Sequence, residues 1–154
     1  MSAMSYKLVN EESVSAVTAS PSVSIGTRRL EGGREYLYAC NGATHTAAVG
    51  YCVIASAMSG GSFTVTAVGG EIPMGVVMHA AIPGGSYGWL MTRGIVHGYS
   101  GSAIAFGKAV IVGALGTMEE LTSATAGVVP VMPIGTAITA IASAGTGAVL
   151  IRAL

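Results

Sequence analysis

Aspartate is absent from this 154-residue chain, and charge of either sign is scarce: charged side chains make up 9% of it, seven Lys and Arg against seven Glu. Without a basic field to attract phosphates, neither a nucleic acid nor an anionic membrane is an expected partner. Aromatics are also few, at 6%, with one tryptophan, Trp89. The cysteines are two, Cys40 and Cys52, and the first five residues show neither the positive nor the apolar region of an export leader. Nothing therefore marks an oxidising compartment, and both are expected as buried free thiols.

What the chain has in quantity is glycine, 23 residues, and apolar side chains, 51%. The length is that of one domain with a proper core. Its surface must then be built largely from Ala, Gly, Ser and Thr, and a surface so poor in charge is expected to be covered by a partner.

Residues 1–34 differ from the remainder, being rich in Ser, Thr, Val and charge without a strong period. They read as an extended N-terminal arm, residues 35–154 as a single β domain. A loose alternation of Val or Ile with Ser or Thr over 13–25 suits a strand added to a neighbouring sheet edge, with contacts outside the β body. A cluster of Arg28, Arg29, Glu31, Arg34 and Glu35 follows around the Gly32-Gly33 turn and reads as polar contact surface.

From residue 35 onward the pattern is β. Segments 36–40, 49–55, 62–68, 72–79, 87–93, 95–99, 109–113, 128–132, 137–141 and 148–152 have strand length and are bounded by Gly, Asn, Pro or Ser. No amphipathic helix separates them. The expected fold is all-β, a compact sandwich or small barrel of short, mostly antiparallel strands. The uncharged run 121–151 is long enough to suggest a membrane span, but Pro130, Pro133, its glycines and a spacing of two between β-branched residues favour strands.

The stretch 82–94 organises the body. Pro83, Gly84 and Gly85 make a turn, and the run from Tyr87 places Tyr87, Trp89 and Met91 on one face and Gly88, Leu90 and Thr92 on the other until Gly94 ends it. Either this face packs inside, or Tyr87 and Trp89 form a contact surface.

Gly84, Ser86 and Gly88 also satisfy G-x-S-x-G, the serine nucleophile elbow. That motif needs a helix after the serine, then an acid and a histidine in chain order; here β-rich residues follow, and no histidine comes after Glu119 and Glu120. A hydrolase using Ser86 is the weaker alternative, and no enzyme activity is expected. His45, His79 and His97 lack ligand spacing, so no metal is expected. Gly101 to Lys108 resembles a phosphate loop with one residue too many and Ala109 where a hydroxyl belongs; a turn into the next strand accounts for it. No cofactor is expected.

The segments Gly26-Thr-Arg-Arg, Gly33-Arg-Glu-Tyr-Leu-Tyr, Ala81-Ile-Pro-Gly-Gly-Ser-Tyr-Gly-Trp-Leu, Ile134-Gly-Thr-Ala and Val149-Leu-Ile together resemble tailed-bacteriophage head decoration proteins, the capsid cement family. The likeness spans most of the chain, with Leu30-Glu-Gly-Gly standing where many of those sequences have a Pro-Asp-Gly turn. It implies a homotrimer on the outer capsid surface of the virion, at three-fold and quasi-three-fold positions, clamping neighbouring subunits of the major capsid protein. Arg28, Arg29, Arg34, Tyr87 and Trp89 are then the candidate capsid or subunit contacts. Another virion part, from the tail or a fibre, is the alternative.

Overall fold

In the computed structural model, residues 12–59, 62–66, 72–122 and 132–153 are described. Among the described residues eleven strands make one sheet: β1 (Val17–Thr18), β2 (Arg28–Glu31), β3 (Arg34–Asn41), β4 (Cys52–Ser59), β5 (Ser62–Thr66), β6 (Pro73–Val77), β7 (Tyr87–Ser100), β8 (Ala109–Val112), β9 (Met118–Glu120), β10 (Gly135–Ala137) and β11 (Gly145–Arg152). The fold is all-β, and the one helical turn among the described residues is a three-residue 3-10 turn, Ala114–Gly116. No helix among them is long and apolar enough to cross a membrane.

Strand β7 is the common member of two closed circuits. Its first half lies between β3 and β6, and the ring β7-β6-β4-β5-β3 closes back on β7. Its second half pairs with β11, and β11-β10-β8-β9 returns to β7 at Ser100. Each ring is antiparallel except for one short parallel contact, β3 with β5 and β7 with β9. Ring closure pairs most of these strands on both sides and so limits free sheet edges, the main hazard of an all-β chain so poor in charge.

The alternation expected for 87–92 is what builds the core. Trp89 and Met91 join Tyr36, Tyr38, Cys52, Val76, Val96, Met118, Val149 and Ile151 in one buried cluster, with Tyr87 packed on its margin. Leu90 belongs instead to a second cluster with Leu37, Ala39, Val53, Val77 and Ile82. Gly88 fits against Ile82, whose Cδ1 would lie 2.8 Å from an added Cβ. One strand thus faces two cores with its two sides.

Several details differ from the sequence reading. Gly94 does not end the strand: β7 runs 14 residues through it, with Gly94 at φ +131°. Glycine there supplies a conformation that side chains resist, where pairing passes from β3 to β11. Segment 137–141 is not a strand; β10 ends at Ala137 and Ile141 makes only an isolated bridge to Ile104. Strands β2 and β9 were hidden by their charges, Arg-Arg and Glu-Glu. Most of segment 128–132 lies outside the described residues.

The N-terminal arm grips its own body from Glu12 onward. Val17 and Thr18 pair with Gly88 and Tyr87, β2 pairs with β3, and Val14 and Val23 pack on the main core. A buried tyrosine hydroxyl explains the attraction. Tyr38 Oη lies 3.1 Å from Thr18 Oγ1 and 2.9 Å from Ser22 Oγ, and it accepts from Ser22 N at 3.2 Å. A buried hydroxyl left without partners is costly, so the Ser/Thr-rich segment is drawn onto it. Residues 1–11 lie outside the described residues.

Both cysteines are free thiols. Burial pushes the Cys52 thiol up to about 12 from an ordinary 9.0, whereas Cys40 is half-buried and faces Tyr87 across the β3–β7 ladder. Below about pH 9 folded and unfolded chains both hold the Cys52 proton; between about 9 and about 12 only the folded chain keeps it, so stability falls as pH rises through that window. The slope from this thiol approaches about 1.4 kcal/mol per pH unit. Urea midpoints measured from pH 8 upward on wild type and Cys52→Val should show the shallower alkaline decline in the variant. Equal slopes would remove Cys52 as the cause.

Candidate functional site

The turn before β7 is held by its backbone. Asn41, buried at the end of β3, donates from Nδ2 to the carbonyls of His45 (2.9 Å) and Ile82 (2.8 Å), and its Oδ1 accepts from Ala43 N (3.1 Å). Its own backbone N–H donates to Ser86 O, and its carbonyl accepts from Gly85 N. Ser86 is therefore a turn residue leading into a 14-residue strand, not a serine between strand and helix. Gly84 is required by a close approach: an added Cβ would lie 2.3 Å from Ala43 O. The Gly-Ser-Gly spacing thus has a packing explanation. Among the described residues no three His, Cys or Glu side chains gather as metal ligands; His79 Nε2 lies 3.1 Å from Tyr36 Oη instead.

The structure disperses the contact residues expected from sequence. Trp89 is 3% exposed, stacked at a tilt on Tyr38 with ring centroids 5.1 Å apart, and so belongs to the interior. Tyr87 also stacks on Tyr38, with ring centroids 6.3 Å apart, and is half-buried. Arg28 pairs with Glu35. Arg29, with a side chain 11% exposed, pairs with Glu31 at 2.7 Å and donates to the Glu12 carbonyl, which ties the arm down. These two arginines serve the arm's own attachment.

Arg34 is different, and it has company that sequence did not reveal. Its side chain lies along Gly94, where an added Cβ would meet Arg34 Cγ at 3.2 Å. In the adjoining rungs Arg93 stands opposite Arg152, and Ile95 opposite Leu150. All four of these side chains are exposed, Ile95 to 50% and Leu150 to 39%. Arg34, Arg93 and Arg152 have no ion-pair partner among the described residues. Glu35, the register partner of Arg93 on β3, lines a depression of about 320 Å³ with Arg93, Arg152 and Ala153, and its Oε1 is engaged by Arg28. A second depression of about 390 Å³, also bordered by Arg152, is lined by Ala109, Pro133, Thr136 and Leu150. Arg93 and Arg152 are 59 positions apart in the chain, and only the β7–β11 register joins them. The one sequence signal was an arginine interrupting each of two apolar strands.

No family model and no curated protein sequence matches the chain. In three dimensions it is similar to the crystal structure of the N base of the head fiber protein gp8.5 of bacteriophage phi29, with a TM-score of 0.55 and 14% identity, covering 76% of this chain and 92% of that one. At that identity the likeness is one of fold.

Proposed function

We propose that the chain is a structural protein of a phage virion, carried on the outer surface of the head and bound to the major capsid protein, where as a homotrimer it clamps neighbouring shell subunits. The fold shared with the base of a head fiber carries this reading. It is supported by a charge-poor composition that calls for a partner and by a rigid body of closed sheet rings. The same neighbour favours a second reading, in which the chain is the base of a fiber anchored on the head. Both place it on the shell; they differ in copy number and in whether anything projects beyond it.

Closed cyclic association buries apolar area that would otherwise promote aggregation. Light scattering of the isolated protein at micromolar concentration should accordingly report three chains, and a monomer at every concentration would refute the trimer. Sedimentation with heads, rather than with tails, separates the head reading from a tail component.

A further inference from the structure

We infer that the corner formed by Arg93 and Arg152, with the exposed Ile95–Leu150 pair beside it, is the surface that docks on the shell, and that its occupant is an acidic patch of the shell subunit. The inference rests on the head reading and names the contact within it.

Charge decides the class of partner. Arg93 and Arg152 stand directly opposite each other, an arrangement that costs a sheet stability when nothing neutralises it. A second copy of this chain is poorly equipped to neutralise it. Of the described glutamates, Glu31, Glu35 and Glu120 are already ion-paired and Glu12 accepts from Ser22 Oγ, which leaves Glu119. Among the described residues Glu35 lies beside the pair and is already bonded to Arg28, which leaves the pair with an excess of positive charge. Guanidinium groups side by side fork onto carboxylates with two parallel hydrogen bonds each. The adjacent Ile95 and Leu150 speak for a protein surface over a phosphate backbone, because an apolar pair next to arginines gains from burial against another side chain. The two depressions that share Arg152 give that partner relief to seat in.

The test uses Arg152→Glu on the full chain. A carboxylate at 152 would face Arg93 across the ladder, so the variant should melt at the same temperature as wild type or higher. Its binding to heads assembled without this protein should nevertheless weaken by about ten-fold or more in low salt, with a smaller difference in high salt. Should Arg152→Glu fold poorly, Arg93→Ala with Arg152→Ala removes the same charges and should weaken binding in the same direction. A folded variant that binds heads as tightly as wild type overturns the inference while leaving head attachment standing. A wild-type chain that does not bind heads is a separate result: it removes the head reading, and this partner with it. If a DNA oligonucleotide binds the wild type and is lost from Arg152→Glu while head binding is unchanged, the corner recognises phosphate and the inference is wrong.

Discussion

Replacing Trp89 with alanine should destabilise the protein by about 3–5 kcal/mol, a large share of the stability of a domain this size. The ring is 3% exposed, packs on Tyr38, and sits in the cluster that joins residues of both sheet rings, from Cys52 and Val76 to Val149 and Ile151. Collapse around the vacated space is hindered because β7 is bonded on both sides, to β3 and β6. Trp89→Phe should cost much less. The indole Nε1 is buried without a hydrogen-bond partner, and deleting an orphaned donor recovers part of what the smaller ring loses. Urea unfolding of the two variants checks this. Near-wild-type stability for Trp89→Ala, with the trimer or head binding lost instead, would mean that Trp89 acts at an interface.

Asn41→Ala is expected to cost about 3 kcal/mol, because one side chain satisfies three backbone groups and its loss leaves them to find partners in a confined turn. The damage should be local in origin and global in effect: the 43–47 loop and the 82–86 turn are joined through this residue and the Ala47–Ile82 bridge. Hydrogen exchange should show the Gly85 and Ala47 amides losing protection first. Ser86→Ala offers the contrast. The Ser86 backbone holds the turn while its hydroxyl makes no hydrogen bond among the described residues, so stability should be almost unchanged.

Much of this architecture was legible in the residues. Segments 36–40, 62–68 over its described residues 62–66, 72–79 and 87–93 announce strands through β-branched and aromatic side chains between turn formers, and the two faces of 87–92 separate as their alternation predicts. Glycine was the main source of error. Gly94 reads as a stop because most glycines punctuate, yet in β7 it provides the φ that lets one strand serve two rings. The partner of the arm is not legible for a different reason: its alternation shows that it can lie along a sheet, but not whose sheet, and Tyr38 Oη supplies a partner within the same chain. Arg28 and Arg29 stood out as a local cluster, and their pairing with Glu35, Glu31 and the Glu12 carbonyl is equally local. Arg93 and Arg152 did not stand out, since a pair made by register has no signature in either strand alone.

Attachment to the head is the claim on which the functional account depends, and electron microscopy of heads assembled with and without this protein tests it most directly. Heads made with it should carry added density on their outer surface at three-fold and quasi-three-fold positions, or at the foot of a projecting fiber, into which the β body fits and which is missing from heads made without it. Identical head surfaces in the two preparations, with the protein found on tails or free in solution, would contradict the account.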